Sequence, residues 1–181
     1  MTISIKPTAS GSTIEQDGST ILTVNGSGNI TPSNDLYPKV PAFHASITSV
    51  QSITSGVWTK IQFDTERFDT AGEFDPTTNY RFTPTVAGHY FVTGCISGES
   101  GTNDSNQCTG AIFKNGSYYT NHNFSSSAIF RRFPCMTTAV VYMNGSTDYI
   151  ELFGSISSTG ASVEFNAGSN QTFFTAYRIG D

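Results

Sequence analysis

Residues 68–92, FDTAGEFDPTTNYRFTPTVAGHYFV, constrain the fold more than any other part of the chain. Pro76 and Pro84 cannot donate to a sheet ladder, so each marks a strand end or an edge. One strand-like run leads into a turn at Asp75-Pro76, a second ends at Phe82-Thr83-Pro84, and a third begins at Gly88. Gly88 can take backbone angles closed to other residues, at the point where a new strand must leave a tight corner. Beyond it Tyr90 and Val92 alternate with Phe91 and Thr93, the period-two pattern of a strand. Corners of proline and glycine with aromatic residues between them point to a β-sandwich that turns sharply here.

The same punctuation continues through residues 41–181. Phe43, Ala45 and Ile47 share one face of a run over 42–48, and Ile61 and Phe63 point inward from the next. Residues 89–96 read as a long central strand. The stretch 98–107, GESGTNDSNQ, has no apolar residue and is expected as an exposed loop. Hairpins are expected about Asn115-Gly116 and Asn144-Gly145. Residues 121–134 set Phe124, Phe130, Arg131, Arg132 and Phe133 in Ser-rich, loop-like sequence. Two last runs, 162–165 and 172–179, close the sandwich, with Phe173, Thr175, Tyr177 and Ile179 on one face. No helix is expected.

Residues 1–40 differ. Two short alternating runs, 12–15 and 20–24, flank Asp17-Gly18, a turn pair suited to a hairpin. Asn25-Gly26-Ser27-Gly28-Asn29 follows, then Pro32, Pro38 and Pro41. Tyr37 is the segment's one aromatic residue, so it has little with which to build its own core. Such an arm folds against a partner or against copies of itself, with Ile14, Ile21, Leu22 and Val24 as its anchoring side chains.

Several short motifs fall in a familiar order. Phe74-Asp75-Pro76, Tyr80-Arg81-Phe82-Thr83-Pro84 and Ala87-Gly88-His89-Tyr90-Phe91 resemble the signature of the C1q-like branch of the tumour-necrosis-factor jelly rolls. Ile112-Phe113-Lys114-Asn115-Gly116 is similar to that family's lysine-asparagine-glycine hairpin. Asp148-Tyr149-Ile150-Glu151-Leu152 resembles its penultimate strand, and TFFTAYRI at 172–179 its closing strand. The resemblance covers about 41–180. It implies an all-β, ten-strand antiparallel jelly-roll sandwich over 41–181, preceded by a short β-rich arm over 1–40. Relatives assemble as compact homotrimers, which makes Phe43, Phe173 and Tyr177 candidates for packing between subunits. Some relatives hold calcium in loops. Here Asn103-Asp104-Ser105-Asn106 offers oxygen ligands with one carboxylate, so the expectation is no cofactor, with weak Ca2+ binding at the Asp104 loop as the alternative. In the arm, GSTILTVNGSGNI is similar to repeat-like stretches of phage tail-fibre and other virion proteins.

Composition narrows the function. Of the 181 residues, 13% are charged and 13% aromatic, with a net charge of −5. The nine basic residues are scattered, with Arg131-Arg132 the adjacent pair, so nucleic acid is not an expected partner. No apolar run approaches the ~20 residues that cross a bilayer, and the N-terminal MTISIKPTASG lacks the apolar centre of a signal peptide. Cys95, Cys108 and Cys135 lack metal-like spacing. A pair such as Cys95–Cys108 can close under oxidising conditions, but buried free thiols are the simpler reading.

Chemistry is hard to find. His44, His89 and His122 are the histidines available as a general base, and two of them fall in expected strands. There is no Gly-x-Ser-x-Gly elbow, no His-Glu-x-x-His and no phosphate loop. Asp69, Glu73, Asp75 and Glu151 give no reason to pair as glycosidase carboxylates. The expectation is a protein that is not an enzyme. Tyr118, Tyr119, Asn121, His122, Arg131 and Arg132 supply aromatic faces and polar groups suited to a host surface carbohydrate. The reading is a homotrimeric bacteriophage virion protein, a capsid decoration, head fibre or tail-fibre tip, made in the host cytoplasm and joined to other virion proteins through its arm. The alternative is a secreted cellular C1q-like adhesion or recognition module, against which the lack of a signal peptide and of a Gly-x-y stalk counts.

Overall fold

A computed structural model of the chain describes residues 3–8, 11–16, 19–32, 40–101, 105–159 and 162–181. It divides into two units, Met1–Val40 and Pro41–Asp181, and contains no helix among the described residues.

The first unit is a four-stranded antiparallel meander of β1 (Ile3–Thr8), β2 (Gly11–Gln16), β3 (Ser19–Asn25) and β4 (Ile30–Pro32). Both runs read from the sequence are strands, and both extend further; Asp17-Gly18 lies outside the described residues. The turn into β4 is held by the Asn25 side chain, whose Oδ1 accepts from the Ser27 and Asn29 N–H groups. β1 and β4 were not legible because each contains a proline, Pro7 and Pro32.

The second unit, the head, is a sandwich of two sheets. Its strands are β5 (Ala42–Ser46), β6 (Gln51–Ile53), β7 (Thr59–Lys60), β8 (Thr65–Asp69), β9 (Phe74–Asp75), β10 (Arg81–Phe82), β11 (Gly88–Ser100), β12 (Ser105–Lys114), β13 (Ser117–Phe130), β14 (Arg132–Met143), β15 (Ile150–Ser158), β16 (Val163–Phe165) and β17 (Phe173–Gly180). A seven-stranded sheet runs β6-β16-β11-β17-β5-β8, with β14 along the other side of β11. A six-stranded sheet runs β13-β12-β15-β10-β9, with β7 also pairing β15. Every pairing is antiparallel.

β11 is the hub. Gly88 begins it at φ 142°, and a side chain there would run into the Gly180 carbonyl and the Arg178 guanidinium. Tyr90, Val92 and Ile96 then point inward and are wholly buried. Gly94 is glycine for space, because a Cβ would strike Leu152 of the opposite sheet. Ile61, Phe63, Phe82, Ile112, Leu152 and Phe174 complete the centre of the core, each worth about 1.5–3 kcal/mol of burial.

Three expectations are corrected. Phe43 is not between subunits: it is wholly buried, stacked between Phe74 (4.7 Å) and Phe82 (4.6 Å) with Phe174 edge-on. It pairs with Ala176 and so shares the inner face of β17's even-numbered residues, opposite to Phe173 and Tyr177. The expected loop 98–107 is mostly strand, since β11 runs to Ser100 and β12 starts at Ser105. Two of its polar residues are buried with partners: Glu99 meets two arginines, and the Ser100 N–H donates to the Arg131 carbonyl. Residues 121–134 are also strand, broken only at Arg131. β13 is exposed on most of its length, so its composition carries no core-facing alternation.

Candidate functional site

A bulge decides which way β13 points its side chains. Ile112 pairs with Thr120 but Phe113 pairs with Tyr118, so Tyr119 is an extra residue. The hairpin before it turns at Asn115 and Gly116, both at positive φ. Asn115 is clamped there by its bonds to Asp148 and the Tyr149 N–H. Tyr118, Asn121 and Asn123 pair with Phe113, Ala111 and Thr109 and share the outer face of the six-stranded sheet. His122 and Phe124 pair with Gly110 and Cys108, on the inner side at the margin of the sandwich. Tyr119 reaches across that margin, its hydroxyl donating to the Val140 carbonyl at 3.1 Å.

The outer face carries a cluster of rings around Phe113. Phe113 lies 4.2 Å from Phe153, 6.0 Å from Tyr118 and 6.3 Å from Trp58, centroid to centroid. Phe113 and Phe153 are half-buried, while Tyr118 and Trp58 are 55% and 40% exposed. In one row Asn121, Ala111, Phe153 and Lys60 stand side by side across β13, β12, β15 and β7. Lys60 donates to the buried Glu151 at 2.5 Å and to the Asn79 carbonyl. A ring platform with a small residue at its centre, flanked by amides and an ion pair, suits stacking of a sugar face with hydrogen bonds to its hydroxyls.

Arg131 and Arg132, grouped with the tyrosines in sequence, stand at the opposite end of β13. Arg131 Nε donates to one oxygen of Glu99 (3.0 Å) and Arg132 to the other through Nε (2.9 Å) and Nη2. Glu99 is 6% exposed, and Glu164 is its cross-strand neighbour on β16. The hydrogen bond from Arg132, with both guanidinium charges, holds the Glu99 carboxyl below its ordinary range against the effect of burial. These arginines compensate a buried acid. Beside them Phe124, Phe130 and Phe133 cluster at 5.9–6.5 Å.

The outer face of the seven-stranded sheet is different in kind. Tyr177, Phe91 and Val140 stand in one row across β17, β11 and β14. Tyr177 and Val140 are each 48% exposed and Tyr142 50%. Tyr142 meets His89 at 5.4 Å. His44 lies between Phe173 (5.2 Å) and Phe68 (6.2 Å). Its Nε2 is buried with no hydrogen-bond partner among the described residues. Burial, and then the Arg67 charge, hold the His44 pKa below its ordinary value.

All three cysteines are buried and free. Cys95 shares its outward row with Phe173 and Met136, whereas Cys108 belongs to the core cluster, so the two do not pair. Cys135 donates to the His122 carbonyl at 3.1 Å. Asn103 and Asp104, the heart of the expected calcium loop, lie outside the described residues. Ile14, Leu22 and Val24 are half-buried on the arm sheet; Ile21 is in β3 with its side chain outside the described set.

Solved structures share this architecture at low sequence identity. Murine APRIL at pH 5.0 is 12% identical, the match covering 78% of this chain and 100% of that one, with a TM-score of 0.58. Eiger TNF from S. frugiperda is 10% identical over 78% of this chain and 92% of its own, also at 0.58. The globular domain of zebrafish complement 1qA protein is 14% identical over 77% and 97%, at 0.52. The head has the TNF/C1q jelly-roll fold. The likeness is one of fold: no family model matches the chain, and no curated protein does.

Within that jelly roll the sequence reading found Tyr118, Asn121, Phe173 and Tyr177 as outward residues, but it missed most of both faces. Phe113 and Phe153 each follow an inward residue, Ile112 and Leu152, so strict alternation would have set them outward together. The same alternation over 136–143 would have turned Met136, Val140 and Tyr142 outward. Trp58 precedes a two-residue strand and gave no such signal.

Proposed function

We propose that the protein is a non-enzymatic, homotrimeric virion component of a bacteriophage, a capsid decoration, head fibre or tail-fibre tip. In this reading the arm anchors the protein to the particle and the jelly-roll head is displayed, meeting host-surface glycans. The observation that carries it is the contrast between the head's two outer faces. The seven-stranded face offers Tyr177, Phe91, Val140 and Tyr142, too apolar to be left to water in such number and poor in groups that fix a small ligand. It suits contact between copies, which would also cover His44. The six-stranded face offers spaced rings with Asn121, Lys60 and Glu151 beside them, and suits a sugar. The arm's similarity to phage fibre stretches supports the particle setting.

Two measurements test the reading. Mass spectrometry of purified phage particles should find the chain in stoichiometric amount, and a chain deleted of residues 1–40 should drop out of particles while its head stays trimeric. Presence of the truncated chain on particles at normal copy number would place the anchor in the head. On a glycan array the intact protein should bind, and Trp58→Ala with Tyr118→Ala should lose at least tenfold in signal with an unchanged melting temperature. Equal binding by that variant would remove the ring platform from the proposal.

A further inference from the structure

The sheet of β1–β4 has two unlike faces. Ile5 pairs with Ile14 and Ile14 with Leu22, while Pro7 pairs with Ser12 and Ser12 with Val24. Residues directly opposite, and residues two apart along a strand, share a face. One face is therefore Ile5, Pro7, Ser12, Ile14, Leu22 and Val24, without a charge. The other is Ser4, Lys6, Thr13, Glu15 and Thr23, with Lys6 and Glu15 paired at 2.5 Å. Ile5 is 71% exposed. A sheet with one apolar face needs a second layer against it, and this unit is a single sheet.

We propose that the aliphatic face packs against the same face of two other copies of this chain, forming a three-sided bundle with Ile5, Ile14 and Leu22 towards its axis. The inference rests on the trimeric reading of the head. Three features select a copy of the chain as the occupant. The face has no charge and one hydroxyl, so it is complementary to itself and offers a foreign protein nothing to recognise but greasiness. Its size fits tethered copies: β1, β2 and β3, of six or seven residues each, present a face of roughly 300 Å². Two such faces hide roughly 600 Å², no more than a crystal contact and short of the ~1,000 Å² that holds a free partner, so the face suits a partner already held close by. Finally, a trimeric head tethered through residues 33–40 would hold three arms at millimolar effective concentration. The outward surfaces are then the polar faces with Lys6 and Glu15 and the open edges of β1 and β4, which become the parts that meet the particle.

The test uses the full-length chain carrying Ile5→Cys, and separately Lys6→Cys, each exposed to a mild copper oxidant and run without reductant under denaturing conditions. Light scattering of the same samples reads the assembly. A trimer in which Ile5→Cys yields linked chains at least tenfold faster than Lys6→Cys is the expected result. Adding Leu22→Asp should abolish that linking and cut amide-exchange protection of β2 and β3 at least tenfold, with the head still trimeric. A trimer in which the two cysteines link equally, or Ile5→Cys not at all, overturns the bundle and leaves the head reading intact. Scattering at the mass of one chain overturns both.

Discussion

Tyr177 and Phe91 face each other across β17 and β11 with ring centroids 5.6 Å apart, on the outer side of the seven-stranded sheet. Val140 continues their row on β14. Should this be the contact between copies, the protein scatters light as three times its 19.5 kDa chain. Tyr177→Asp, which puts a charge at the centre of the face, should then release single chains at micromolar concentration. A buried unpaired charge costs several kcal/mol, repeated in every subunit. The head should keep its fold, because Tyr177 contributes nothing to the core. A trimer that survives the substitution would move the contact elsewhere.

Gly88 stands at a corner with no room and with a backbone angle that suits glycine. A side chain at φ 142° is strained, and besides the Arg178 side chain its Cβ meets the Gly180 carbonyl, a backbone atom that cannot swing aside as a side chain can. Gly88→Val is expected to destabilise the head by more than the ~1 kcal/mol of an ordinary substitution, read as a lower urea midpoint at unchanged slope. An unaltered midpoint would show that the corner can relax.

What the sequence revealed and what it hid follow the same physics. Prolines 76 and 84 and Gly88 are legible because they act through their own backbone, whatever surrounds them. The inward residues Ala45, Ile47, Ile61 and Phe63 are legible because alternation survives wherever one face is buried; Phe43 shares that face, and the alternation should have kept it from the subunit contact. β13 was hidden because neither of its faces is fully covered. Glu99 looked like loop because a carboxylate in a strand interior makes sense only with Arg131 and Arg132 delivered from a strand some thirty residues away in sequence. The placement of Tyr118 apart from Tyr119 depends on a one-residue bulge, for which no residue type in that stretch is diagnostic.

Glu99 gives the next prediction. It is buried, and its carboxylate is satisfied by two arginines whose own side chains are 64% and 58% exposed. Because the arginines stay in solvent, their pairing with Glu99 is worth less than that of a fully buried pair. Arg132→Ala removes both a hydrogen bond through Nε and a contact through Nη2 and leaves Glu99 half-paired. A loss of about 1–3 kcal/mol is expected, larger than for Arg131→Ala, which removes one bond. Glu99→Gln in the Arg132→Ala background should recover part of the loss by removing the stranded charge. Additive losses in the double variant would show that the two groups do not act as a pair.

Asp75 yields a prediction in pH. Its Oδ1 accepts from the Thr77 and Thr78 N–H groups and the Thr77 hydroxyl, and its Oδ2 from the Asn79 N–H and side-chain amide. These bonds, the one from the Thr78 backbone first and that from Thr77 next, hold its carboxyl well below the ordinary 3.8. An acid whose folded pKa is depressed takes up protons more readily when unfolded. Its stabilising effect is therefore complete above the unfolded pKa and is lost as pH falls through the window from about 4 downward to the folded value. Asp75→Asn keeps the shape, but its amide donors confront the Asn79 N–H where an oxygen stood, so the variant should be less stable at pH 7. It has no carboxyl to protonate, so its stability should fall less steeply with acid. The gap between the urea midpoints of wild type and variant should thus be constant from pH 7 to pH 5 and narrow between pH 4 and pH 2. A gap at pH 2.5 as wide as at pH 7 would mean that the turn holds its shape without the charge on Asp75.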